Sequence, residues 1–340
     1  MKSRRSAKFL KIFVMVVLFL IAAAPLSIAA DKIRVGLSSS SATLGRLFVA
    51  QDKGLFSKHG IDAELIILGG GANRTIASLI AGDIQFSTGG GDGSVRAVLK
   101  GADVVIVAST LSKGLQRLFA RSEIKTPQDL KGKKVGITRF GSAAHLALQL
   151  ILKKWNWRPD DVQTVQVGSS PAMLVSLDKG GIDAAVLDMP TFFLAEDKGY
   201  RLLAEPGEMD IVYLQSTLDS SRGFLRKNRD QALRFMKGYI EGIAYFKKNK
   251  RESIDVLRKK LRIQSEQERD VRYLELSYNL LASKYYNEAP YPSIRGVQTI
   301  LDFVAQDEPK AKGADPKSFV DESFVREIDE SGFIKALYGR

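Results

Sequence analysis

Short runs rich in isoleucine and valine alternate with helix-length segments along the first two thirds of the chain, and this alternation limits the fold more than any other feature. Runs at 33–37, 63–68, 84–87, 104–108, 135–138, 162–167, 184–187 and about 211–214 have the length and composition of strands. Between most of them lie segments long enough for a helix, among them 44–51, 74–81 and 143–155. A parallel neighbour needs a crossover of helical length, so the order predicts an α/β architecture with mostly parallel sheets flanked by helices. From about Arg226 the strand pattern stops. Leu233, Met236, Ile240, Ile243 and Ala244 recur at helical spacing, as do Val271, Leu274, Tyr278 and Leu281, so the C-terminal region is predicted helical.

Two segments echo one another. "ASLIAGDIQFSTGGG" (77–91) and "VSLDKGGIDAAVLDMP" (175–190) both run from Ser-Leu at a helix end, through glycine, into a short apolar strand and a breaking loop. One copy in each half predicts two lobes of similar construction, an arrangement suited to a cleft.

The first thirty residues read differently. Lys2, Arg4, Arg5, Lys8 and Lys11 precede an apolar run over 12–24, and Pro25 is followed by the small residues of Ser27-Ile28-Ala29-Ala30. This predicts a secretory signal peptide over 1–30, cleaved near Ala29 or Ala30, with an uncleaved anchor as the other reading. Phe9 stands too far behind Arg4-Arg5 for the twin-arginine pattern. The chain has no cysteine, which excludes disulfides, thiolate nucleophiles, cysteine-held metals and a lipid anchor on cysteine. Of the net charge of +13, five positives lie in those thirty residues, leaving +8 for the rest. The densest basic stretch, "KKNKRESIDVLRKK" (247–260), alternates with acids and apolar residues at helical spacing, as a solvated helix face does. Nucleic acid is therefore not an expected partner, and the periplasm is the expected location.

In parallel α/β sheets, ligands meet the loops beyond the carboxyl ends of strands. Here those loops carry Ser38, Ser39, Ser40 and Ser41; Gly69, Gly70, Gly71, Ala72 and Asn73; Thr88, Gly89 and Gly90; Arg139, Phe140, Gly141 and Ser142; and Asp188. Small residues expose backbone N–H groups, helix N-termini favour anions, and hydroxyls add neutral donors. Each element also has a plainer reading as turn or cap, and Asp188 reads equally as a cap or as the charged group of the cleft. Their recurrence at one end of the strands makes a polar site for a small anionic or zwitterionic molecule. His59, in a turn before Gly60, reads as solvated, and His145 as a packing or capping residue. No HExxH, GxSxG or carboxylate–histidine pattern stands out, so no catalytic, metal or cofactor residues are assigned. Phe140 or Phe192 would wall a planar ring if either faced the cleft.

"LFVAQDKGLFSKHGIDAELI" (47–66) closely resembles the phrase found early in solute-binding proteins of the nitrate, sulfonate and taurine class of ABC transporters. The resemblance continues through "LIAGDIQFSTGG" (79–90), "TPQDLKGKKVGI" (126–137), "GGIDAAVLDMP" (180–190) and "ALRFMKGYIEGIAYFKKN" (232–249). It implies a two-lobed periplasmic binding protein of type II, with lobe one at 31–114 plus 212–340 and lobe two at 115–211. The crossovers would fall near 110–119 and 205–215. It also implies ligand contacts from 39–41, 71–73 and 88–90 in lobe one and from Gly141, Ser142 and Asp188 in lobe two. Leu187 stands where taurine-type members usually have an aromatic, which counts against taurine, and Arg139 is the one arginine in the loops. The implied partners are a small solute such as a sulfonate, nitrate or pyrimidine-like molecule and an ABC permease of the inner membrane, with the protein itself a monomer. Pyrimidine- and menaquinone-pathway enzymes share the scaffold, and a receptor presenting ligand to a membrane sensor would look the same.

Overall fold

A computed structural model describes residues 30–69, 71–263 and 268–340, so residues 1–29 of the predicted signal segment and Gly70 lie outside the described residues. The chain builds two five-stranded sheets of the same plan. The first contains β1 (Asp31–Leu37), β2 (Ile61–Ile67), β3 (Phe86–Gly89), β4 (Val105–Lys113) and a later strand, β10 (Val212–Ser220), in the order β2-β1-β3-β10-β4. The second contains β5 (Arg117–Ala120), β6 (Lys134–Ile137), β7 (Gln163–Gln166), β8 (Ala184–Leu187) and β9 (Arg201–Ala204), in the order β7-β6-β8-β5-β9. In each sheet three strands pair in parallel and one strand runs against both its neighbours. That strand is β10 between β3 and β4, and β5 between β8 and β9. Each reversed strand arrives from the other sheet, since the chain passes over between Lys113 and Arg117 and returns between Ala204 and Val212.

The two echoing segments occupy equivalent places. The first spans the end of a helix and β3, the second the end of a helix and β8, and β3 and β8 are the middle strands of their sheets. Two expectations about strands need correction. Strands β5 and β9 were not predicted, because four residues such as "RLFA" and "RLLA" are too few to show a period. The strand placed at 84–87 lies at Phe86–Gly89, since the Gln85 side chain and backbone bond to Arg34 and hold Ile84 and Gln85 as the approach to it.

Helices of seven or more residues cover the sheets: α1 (Gly45–Asp52), α2 (Ala72–Ile80), α3 (Gly91–Leu99), α4 (Ala143–Lys154), α5 (Ser170–Asp178) and α6 (Thr191–Asp197). The C-terminal region adds α7 (Arg229–Lys248), α8 (Lys250–Leu261), α9 (Glu268–Leu280), α10 (Ile294–Val304) and α11 (Ser323–Glu330). The buried face of α7 carries Met236, Ile240, Ile243 and Ala244, as the spacing predicted. Phe235 of α7 stacks between Phe56 and Phe86, with ring centroids 5.0 and 4.3 Å away, and ties the helix to the first sheet. Aromatic pairs of this kind contribute about 0.5–1.5 kcal/mol beyond the area they bury. His59 is not solvated, because its side chain is largely covered and its Nε2 lies 2.9 Å from Glu241 on α7, which also takes Lys58.

Helices α1 and α7 cross in close contact, and the crossing needs glycine. A Cβ on Gly242 would lie 2.4 Å from the Arg46 carbonyl oxygen and 2.8 Å from Ala50 Cβ. Backbone cannot swing aside as a flexible side chain can, so the helices would have to separate. Gly242→Ala is expected to destabilise the fold by about 1–3 kcal/mol, the usual cost of overpacking. Chemical denaturation would read this as a lower midpoint at unchanged slope. An unaltered midpoint would mean the crossing is looser than described.

Candidate functional site

A cleft of about 810 Å³ opens between the two sheets, at the carboxyl ends of their parallel strands. From the side of the first sheet it is lined by 38–41 after β1, Gly69, Gly71, Ala72 and Asn73 after β2, and Gly89, Gly90 and Asp92 after β3. Across it stand Thr138, Arg139, Gly141 and Ser142 after β6, Gly168 after β7, and Asp188 with Met189 after β8. Eleven of the twelve residues singled out from sequence reach this wall. Thr88 does not. It is 0% exposed, and its hydroxyl donates to the Gly36 carbonyl, because alternation along β3 turns it into the sheet while Gly89 beyond it meets the opening.

The loops differ in how much hydrogen-bonding capacity they leave free. Ser142 caps α4, and its Oγ accepts from the His145 N–H and from Thr138 Oγ1 and donates to the Arg139 carbonyl at 2.7 Å. Its proton is therefore committed. The His145 ring nitrogen Nδ1 accepts from the Gly141 N–H and does not face Ser142 Oγ, so the two do not form a nucleophile–base pair. Ser41 Oγ accepts from both the N–H and the hydroxyl of Thr43 and donates to nothing among the described residues. Gly71 sits at φ +74°, and an added Cβ would lie 3.2 Å from an Arg139 nitrogen, so the arginine of one side reaches the glycine loop of the other. Phe140 is 58% exposed at a loop tip and Phe192 is buried beneath the Arg117 guanidinium, so neither walls the cleft.

Acidic groups complete the base. Asp188 accepts from Gln116 Nε2 at 2.7 Å, and burial pushes its carboxyl upward despite that bond. Burial likewise raises Asp92 to about 6, against the N–H groups of the α3 N-terminus and the charges of Arg96 and Arg139. Behind the wall Asp219 on β10 is 1% exposed and raised to about 7 by burial, with hydroxyls of Ser94, Thr217 and Ser87 opposing. Buried oxygens of Gln116, Gln215, Asp219 and Tyr213 have no partner among the described residues. Thr43 and Asp92, which continue the serine loop after β1 and the glycine loop after β3, also line the cleft, and Gln116, Gln215 and Ser216 do so without having been anticipated. The last three sit at a crossing segment or inside β10, where a sequence gives no loop signal. Arg46 went unnoticed although a charge amid the apolar run "LGRLFVA" was the available clue. It is 0% exposed beneath the cleft floor.

The matched family model, described as NMT1/THI5 like, covers residues 42–253. The chain belongs to this family. Among curated relatives, a binding protein of Brucella abortus is 30% identical over 142 residues, 42% of this chain and 43% of that protein, so less than half of that relative is matched. Among solved structures, the periplasmic aliphatic sulphonate binding protein SsuA of Escherichia coli superposes with a TM-score of 0.72 at 19% identity, over 86% of this chain and 92% of that one. The periplasmic nitrate-binding protein NrtA of Synechocystis PCC 6803 gives 0.66 at 15% identity, over 89% of each chain. Both likenesses establish the fold of periplasmic binding proteins for this family member, with a helical C-terminal region. Among the described residues no helix is long and apolar enough to cross a membrane.

The buried acids give the family member a pH signature. A carboxyl whose folded value lies above the ordinary 3.8 stabilises the fold fully below 3.8, and that contribution is lost as pH rises through the folded value. Asp92 and Asp219 therefore predict a melting temperature that falls from about pH 4 to about pH 7 and levels off above it. Calorimetry across that range should show a shallower fall in Asp219→Asn, with the variant's advantage over the parent growing from about pH 4 to about pH 7 and constant above that. Parallel curves would show that Asp219 does not titrate in this window.

Proposed function

We propose that the chain is an extracytoplasmic solute receptor, which captures a small polar or anionic solute between two lobes and delivers it to an ABC permease of the inner membrane. The lobes would comprise 31–114 plus 212–340 and 115–211, with the periplasm as the place of work once the signal segment is removed. The observation that carries this reading is the convergence of small, polar loops from two similarly built sheets on one cleft, where only two short crossing segments connect them. Rotation about two crossings opens and closes such a cleft without unfolding either sheet, and a ligand that bridges both sides stabilises the closed arrangement. The commitment of Ser142 and His145 to a helix cap supports binding over nucleophilic chemistry at that loop.

Ser39, Ser40, Ser41, Gly71, Ala72, Asn73, Gly89, Gly90, Gly141, Ser142 and Asp188 are proposed as the ligand wall. Asn73 is exposed and its side chain bonds to nothing among the described residues, so removing it tests the wall with little structural consequence. A solute present at about a hundred times its dissociation constant stabilises the folded chain by about 2.7 kcal/mol. Thermal unfolding of residues 31–340 with nitrate, alkyl- and arylsulfonates, taurine, aminopyrimidines and small carboxylates should give a large shift with one chemical class. That shift should shrink in Asn73→Ala and in Asp188→Ala. A panel without any shift, followed by purified protein free of a co-purified small molecule, would sink the receptor reading.

A further inference from the structure

Arg46 is a fully buried cation with no carboxylate partner among the described residues. It lies in the first turn of α1, 0% exposed, and its three hydrogen bonds all end on uncharged oxygens. Nε donates to Tyr239 Oη at 2.7 Å, Nη1 to the Thr43 carbonyl at 2.5 Å and Nη2 to Ser216 Oγ at 3.0 Å. The rings of Tyr239 and Tyr286 flank it with centroids 5.2 and 5.5 Å away. A guanidinium does not lose its proton in proteins, so the charge is permanent. Burying a charge without a counter-charge is costly, and a well-packed apolar residue in its place is often neutral or stabilising. Packing alone therefore does not account for an arginine here.

Two of its three partners, Thr43 and Ser216, line the cleft. Arginine only donates, so the Ser216 oxygen must accept from it, and the Ser216 proton is bonded to nothing else among the described residues. Ser216 is 5% exposed and lines the cleft, and its hydroxyl is polarised by the cation that bonds to it, which strengthens it as a donor. Ser41, also in the wall, accepts twice from Thr43 and likewise keeps its proton free. Two donors thus stand in one wall with a buried positive charge behind them. Neither Asp92 nor Asp188 is among the groups that bond to Arg46 or act on its charge.

We infer that Arg46 selects the ligand's charge: acting through Ser216 and the Thr43 loop, it makes the Ser41–Ser216 part of the cleft a subsite for a monovalent anionic group such as a carboxylate, sulfonate or nitrate. This deepens the receptor reading and rests on it. Arg46 is then a positioning residue, reaching the solute through the wall and not by contact.

Bromide is the probe, because it tests the subsite whatever the natural solute is. Crystals of the 31–340 chain soaked in bromide should show an anomalous peak within hydrogen-bonding distance of Ser41 Oγ and Ser216 Oγ. The peak should persist in Arg46→Lys and vanish in Arg46→Met. In solution the parent should prefer acetate over acetamide, and methanesulfonate over methanesulfonamide, by about tenfold or more, as expected for charge-assisted bonds. That preference should collapse in Arg46→Met and return in Arg46→Lys. A purely structural arginine would lower the melting temperature of Arg46→Met and leave the bromide peak and the preference intact, which overturns the inference. Should Arg46→Met fail to fold, the double variant Ser41→Ala, Ser216→Ala reads the same subsite from the wall, and retained bromide there overturns it too. An absent peak in the parent also overturns it, whereas the receptor reading fails only when neither charged nor neutral compounds stabilise the protein and no small molecule co-purifies with it.

Discussion

Each sheet depends on a strand supplied from across the molecule. Without β10 the first sheet would lose its link between β3 and β4, and without β5 the second would lose its link between β8 and β9. The two halves are therefore not beads on a string. The exchange also fixes where the chain can bend, because only the segments between Lys113 and Arg117 and between Ala204 and Val212 pass from sheet to sheet. Those segments are braced: Glu205 accepts from Lys284 at 2.6 Å and lies 3.3 Å from the Arg117 guanidinium, while Tyr285 donates to the Gly114 carbonyl. Away from the crossings, Tyr273 and Arg272 of α9 both bind Asp197 at the end of α6. The Arg272–Asp197 pair is exposed and individually weak, so it favours one arrangement of the two sheets without locking it.

What the sequence revealed follows from which interactions are local. Alternating Ile/Val runs and helical spacing are local, and they located eight strands and the helical C-terminal region. The antiparallel entry of β5 and β10 is not local, since only pairing across more than a hundred residues makes β10 run against β3 and β4. A pattern of parallel α/β units thus hides one reversed strand per sheet. The same limit applies in the cleft. Loop glycines and serines announce themselves by composition, whereas Gln116 and Gln215 gain their place from the crossings that carry them to the base of the opening. Thr88 shows the opposite error. It shares a loop-like phrase with Gly89 and Gly90, but pairing with Leu218 extends the strand through it and turns its side chain inward.

The cleft combines features that oppose one another in charge. Helices α2, α3 and α4 all begin at its edge, and their N-termini favour negative charge. Asp92 and Asp188 place acid at the same edge, and burial disfavours their ionised forms. Arg139 reaches across from one side to the glycine loop of the other, within the influence of Asp92. Such a site discriminates by arrangement more than by net charge, because a ligand must satisfy donors at some points and unpartnered acceptors at others. Gln116 and Gln215 each keep a buried oxygen without a partner among the described residues, and an unmet acceptor in a water-poor site costs about 1–3 kcal/mol. A molecule that offered only acceptors would leave those oxygens unmet.

The serines of the wall show why composition alone cannot identify a binding group. Ser142 and Ser41 look alike in sequence, each standing just before a helical turn, and each caps that turn with its oxygen. They differ in where the proton goes. Ser142 gives its proton to the Arg139 carbonyl and so is closed to a ligand that needs a donor. Ser41 receives two bonds and gives none among the described residues, so its hydrogen remains to be placed. A hydroxyl has one proton, and once an oxygen's incoming bonds are counted, the direction left for that proton is strongly restricted. Counting protons in this way separates a serine that holds the loop from one that the loop holds out toward a solute, and it does so from heavy-atom geometry alone.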